Sequence, residues 1–128
     1  GEHAHHGPHE GRFAGAARIR LLAALRERDG QSVSDLAEAI GVDQPRASRL
    51  VNDSAERGLV TRRPDDRDAR RSVVQLTDAG RGLLEAAEAR RRSTVADALA
   101  GFTPEEAAAF AEFLTRFATA FVERSRGD

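Results

Sequence analysis

Five polar side chains fall on one side of a short helical stretch. Gln44, Arg46, Ser48, Arg49 and Asn52 interleave with the apolar Ala47, Leu50 and Val51. Side chains of these types, on a helix that fits a DNA major groove, read base edges: Gln pairs with adenine and Arg with guanine. A second basic group follows. Arg62 and Arg63 precede, and Arg67, Arg70 and Arg71 lie within, a polar segment, PDDRDARR. Arginines on a narrow ribbon can enter a minor groove or grip phosphates. Ser32 and Ser34, at the start of the preceding helical stretch, are candidate phosphate contacts through their hydroxyls. Between residues 44 and 63 five Arg oppose Asp53 and Glu56, a local excess of +3. The excess is modest, so the arrangement of the arginines says more than their net charge.

Other chemistry finds less support. The chain has 128 residues and no Cys, which removes disulfides, thiolate metal sites and a thiol nucleophile. His3, His5, His6 and His9 lie together near the start, and no His lies elsewhere to act as a general base. Imidazole suits Zn, Cu and Ni, so these four are weak candidates for a metal-responsive arm. Asp65, Asp66 and Asp68 lack calcium-loop spacing and read as an Arg-paired turn. There is no Gly-rich phosphate loop. No cofactor is required by any motif, and a non-enzymatic chain is expected. All twenty basic side chains are Arg and none is Lys, although net charge is only −1. A GC-rich genome would enrich Arg as well, and the arginines remain usable for planar contacts.

The elements that must position these residues follow from periodicity and punctuation. Residues 1–11 are His- and Gly-rich and read as a flexible arm. Residues 12–28 place Phe13, Ala16, Ile19, Leu22, Ala23 and Leu25 near helical spacing, and Asp29-Gly30 ends the helix. Ser32 caps a second helix whose apolar face is Leu36, Ala37 and Ile40, stopped by Gly41. Asp43 caps a third helix, with Pro45 in its first turn and an end near Arg57. Residues 59–63 and 72–76 read as two strands of a hairpin. Thr77 caps a helix from about Asp78 to Leu99. Thr103-Pro104-Glu105-Glu106 opens the last helix, which runs to about Arg124. The fold class is mainly α with a small β-hairpin: a winged helix-turn-helix at 12–77, then long helices for dimerisation at 78–128. No stretch is long and apolar enough to span a membrane, and a cytoplasmic location fits.

Three segments carry a resemblance to a known family. SVSDLAEAIGVDQPRASRLVNDSAERGLVTRR, then DRDARRSVVQLTDAGRGLL, then FTPEEAAAF resemble the MarR family of bacterial transcription regulators over residues 12–124. The resemblance implies that Asp43–Asn52 forms the recognition helix. It also implies that Asp68 orients Arg70, which enters the minor groove. It further implies a homodimer, usually a repressor, that leaves DNA when a small phenolic or other ligand binds. Family members begin with a long helix that packs on the last helix in the dimer, whereas only a short His- and Gly-rich arm precedes residue 12 here.

The last helix offers a dimer surface. Phe110, Phe113, Leu114, Phe117 and Phe121 form one stripe, and it holds four of the six aromatic residues. A second subunit could bury what the helix at 78–99 leaves uncovered. A dimer also suits a palindromic operator in double-stranded DNA, whose half-sites lie roughly 34 Å apart. Phe13, Leu22, Leu83 and Phe117 are weak candidates for lining a pocket for a small effector, aromatic or phenolic in character. Winged helices also bind proteins, so an adaptor is the competing reading.

Overall fold

The computed structural model describes residues 8–127, with side chains described from Ala14 onward. The order is α1 (Pro8–Glu27), α2 (Val33–Ile40), α3 (Gln44–Glu56), β1 (Val60–Pro64), β2 (Ser72–Leu76), α4 (Asp78–Ala98) and α5 (Pro104–Arg126). This is the mainly α architecture with one hairpin that the patterning predicts. The described residues divide into two compact units, one reaching Ala89 and one starting at Arg90.

In the first unit an apolar core joins all six leading elements. Leu21, Leu22 and Leu25 of α1 meet Leu36 and Ile40 of α2, Val51 of α3, Val60 and Val74 of the hairpin, and Leu84 of α4. Each fully buried Leu contributes about 1.5–3 kcal/mol relative to exposure. The inward face of α1 differs from the periodicity reading. Leu21 is buried, Ile19 and Ala23 pack at the edge, and Ala16 is exposed. A continuous Leu21-Leu22 pair faces the core because α1 is covered by both α2 and the hairpin.

Local signals set most boundaries. The Ser32 side chain accepts from the Asp35 N–H at 3.0 Å, capping α2. Gly41 takes φ 73°, a left-handed turn open to glycine, and its N–H donates to the Ala37 carbonyl. Thr77 Oγ1 accepts from the Gly80 N–H at 3.0 Å and donates to the Gly58 carbonyl at 2.7 Å, so it caps α4 and ties it to the end of α3. In α5, Thr103 and Glu106 cap each other reciprocally.

Four features depart from expectation. The helix α1 begins at Pro8, inside the segment 1–11 read as an arm. Proline is pre-organised for the first helical turn, and Gly11 costs only about 1 kcal/mol within a helix. The strand β1 runs one residue later than 59–63, because the Leu59 N–H closes the α3 terminus by donating to the Ser54 carbonyl at 2.9 Å. Gln31 pairs with Val74 in an isolated antiparallel bridge, adding an unanticipated third arm to the hairpin. The boundary between units falls within α4 and not at residue 77. Gly80 and Leu84 of that helix are buried in the first unit. A Cβ on Gly80 would lie 2.2 Å from the Leu59 carbonyl oxygen, so the helix approaches the backbone as only glycine allows.

In the second unit α5 buries no residue within the chain. Its stripe stays open, with Phe117 67% and Phe121 63% exposed. Phe117 and Phe121 stack with ring centroids 6.1 Å apart.

Candidate nucleic-acid interface

The helix α3 is aimed by its own first turn. Asp43 caps it, accepting from the Arg46 N–H at 2.8 Å, and Pro45 occupies that turn. Ala47, Val51 and Ser54 turn inward, with Leu50 and Ala55 at the edge. The opposite side presents Gln44, Arg46, Arg49 and Asn52 to solvent. Ser48 is half-buried and sits at the margin of this face instead of on it. Arg46 leans towards Asp43 at 3.6 Å, while the Arg49 guanidinium makes no ion pair among the described residues. Ser34 donates to Gln44 Oε1 at 3.2 Å, so α2 steadies the first residue of α3.

Ser32 and Ser34 separate in role. Ser34 is exposed. Ser32 is buried and its oxygen is committed to the α2 cap, which leaves it poorly placed for the phosphate contact expected of it.

The hairpin pairs in register from Val60 with Leu76 to Pro64 with Ser72. Leu76 is tied down by Asp29, whose Oδ1 accepts from its N–H at 2.9 Å. At the tip, backbone bonds from Asp65 to the Arg71 carbonyl and from Arg71 to the Asp68 carbonyl close the loop, both at 2.9 Å. Asp68 then grips Arg70. Its Oδ1 accepts from the Arg70 backbone N–H at 3.1 Å and from Nε at 3.2 Å. Arg70 Nη2 also donates to Asp68 Oδ2 at 3.5 Å, yet the Arg70 side chain is 91% exposed. The hydrogen bonds from Arg70 hold the Asp68 carboxyl below its ordinary pKa. Arg63 pairs with Asp66 at 3.1 Å, and Asp65 accepts from the Arg67 N–H at 3.0 Å. The three wing aspartates are thus occupied in shaping the tip. Among the described residues, the Arg62, Arg67 and Arg71 side chains donate no hydrogen bond and stand exposed.

One charged contact escapes the sequence pattern, in which Asp53 counts only as a charge. Its carboxylate receives Arg57 from the C-cap of α3 and Arg18 from α1. The i,i+4 spacing of Asp53 and Arg57 was a readable signal. Nothing local marks a partner 35 positions away.

The remaining candidates scatter. Leu22 is wholly buried core, and Leu83 packs half-buried against the same core, so neither stands as a pocket wall. Phe117 belongs to the second unit, where it lines a groove of about 350 Å³ with Ala120, Phe121, Arg124 and Ser125 of the same helix. His3, His5 and His6 lie outside the described residues, as do the side chains of His9 and Phe13. Among the described residues no three His, Asp or Glu side chains are placed to hold a metal. No described helix is long and apolar enough to cross a membrane.

Comparison with known proteins supplies the class. The MarR family model matches residues 15–71, from α1 to the wing. A MarR-family transcriptional regulator of known structure from Silicibacter pomeroyi is 32% identical, with 85% of this chain and 75% of that one covered at a TM-score of 0.57. The chain belongs to the MarR family. An uncharacterized HTH-type transcriptional regulator of Bacillus subtilis, YdgJ, is 30% identical over 100 residues. That stretch is 78% of this chain and 61% of the relative. Bordetella bronchiseptica BpsR, whose DNA binding is regulated by 6-hydroxynicotinic acid, is 27% identical. Coverage is 80% of this chain and 78% of that one, with a TM-score of 0.57.

Proposed function

We propose that this chain is a non-enzymatic, sequence-specific transcription regulator that binds double-stranded DNA in the cytoplasm as a homodimer. The carrying observation is the pairing of two exposed basic surfaces in one unit. The Gln44/Arg46/Arg49/Asn52 face of α3 suits a major groove, and Arg70, oriented by Asp68 at the wing tip, suits the adjacent minor groove. The open Phe stripe of α5 is the dimer surface, which sets two α3 helices on the half-sites of a palindrome. The regulator represses, and an aromatic or phenolic ligand releases it. The likeness to BpsR, regulated by 6-hydroxynicotinic acid, supports a ligand of that kind.

A mobility-shift titration on the DNA flanking the gene tests this reading. A retarded complex, specific over an unrelated duplex and weakened by rising salt, is expected. Equal affinity for both duplexes contradicts it. Adding hydroxylated aromatic acids to the complex tests release.

A further inference from the structure

Behind the exposed face of α3 lies a charged clamp that the contact surface does not use. Asp53 follows Asn52, and its Oδ2 accepts from two arginines. Arg57 Nε, from the residue that caps the end of α3, stands at 3.0 Å, and Arg18 Nη2 of α1 stands at 2.8 Å. Arg18 is the buried half, with its side chain 14% exposed against 42% for Asp53. Its Nε is buried without a partner among the described residues. Burial works to raise the Asp53 carboxyl, but the bonds from Arg18 and Arg57 outweigh it and hold it below its ordinary pKa.

Such a clamp is a poor source of stability. An ion pair whose carboxylate is this exposed is screened by solvent and contributes little. What it supplies is direction. The core contacts that Leu21, Leu22 and Val51 make are non-directional and tolerate a small roll of α3 about its axis. The same roll would swing Arg49 and Asn52 away from base edges. A carboxylate held from α1 and from α3 itself resists it.

We propose that Arg18 is a positioning residue for DNA readout: through Asp53 it locks the rotation of α3 on α1, so that Arg49 and Asn52 meet base edges in register. This rests on the DNA-binding reading above. The test compares the full chain with Arg18→Gln, Asp53→Asn and the double variant. Affinity is measured for the flanking DNA and for an unrelated duplex over a range of salt, with melting temperature alongside. Each single variant should lose roughly tenfold in specific affinity, the scale of coupling between neighbouring groups. Affinity for the unrelated duplex and the salt slope should hold, and the double variant should be no worse than either single one.

Other outcomes overturn the proposal. Equal losses on both duplexes, with a salt slope shallower by about one, make Arg18 itself a phosphate contact. A lower melting temperature with an unchanged specific-to-unrelated ratio makes the clamp structural. Unchanged affinity in the nearly isosteric Asp53→Asn leaves α3 set by the core alone. If the unaltered chain fails to distinguish its flanking DNA, the DNA-binding reading itself fails, and this inference falls with it.

Discussion

Asp68 and Arg70 are the single pair of side chains on which the proposed wing contact rests. The carboxylate is held below its ordinary pKa by Arg70, so the pairing is fully present above the ordinary Asp value of about 3.9. It is lost only as pH falls through the lowered folded value. A carbon-detected NMR titration should therefore place the Asp68 midpoint below the ordinary value, and Arg70→Ala should return it towards that value. A midpoint unmoved by the substitution would detach the two residues. Arg70→Ala should also weaken specific binding by about 1–3 kcal/mol while leaving the fold intact. Ser54 makes the opposite case. Its hydroxyl is fully buried, with no hydrogen-bond partner among the described residues. Ser54→Ala removes an unsatisfied group and should stabilise by on the order of 1 kcal/mol in urea unfolding; a clear loss would reveal a hidden partner. The Arg46/Arg49 face was legible because helical period fixes it locally, and the Asp68–Arg70 pair was legible only through the resemblance to the MarR family. The Arg18–Asp53 contact was not, since only the packing of α1 on α3 creates it.

At the scale of elements, caps explain what could be read. Ser32, Asp43, Thr77 and Thr103 each accept from a backbone N–H three residues on, a local arrangement that sequence displays directly. What escaped was tertiary. The Gln31–Val74 bridge joins segments far apart in the chain, and no pattern around Gln31 resembles a strand. The inclusion of early α4 in the first unit depends on the bare Cα of Gly80 against Leu59. Gly80→Ala would drive a Cβ into a backbone carbonyl and a Leu76 methyl. Overpacking of this kind costs about 1–3 kcal/mol, and relief here requires backbone movement. The variant should melt well below the unaltered chain, even though alanine favours helix by about 1 kcal/mol. A higher melting temperature would show that α4 does not approach the Leu59 backbone so closely.

For the whole molecule, the proposed assembly rests on α5. Phe110, Phe113, Phe117 and Phe121 remain 46–67% exposed within one chain, an apolar stripe that single soluble domains rarely leave open. Phe117→Glu should convert a dimer into monomers in sedimentation velocity without loss of helix signal. An unaltered chain that sediments as a monomer at micromolar concentration would remove the dimer from the account. Membership of the MarR family fixes the class of fold, and the proposed DNA contacts fall on its exposed arginines. The central claim is that these surfaces read a specific sequence together. Footprinting of the gene's flanking DNA, with the unaltered chain and with Arg49→Ala and Arg70→Ala, tests it most directly. The account predicts two protected half-sites about one helical turn apart, lost in both variants at concentrations where the unaltered chain protects them fully. Protection that survives both substitutions, or spreads evenly along the DNA, would contradict it.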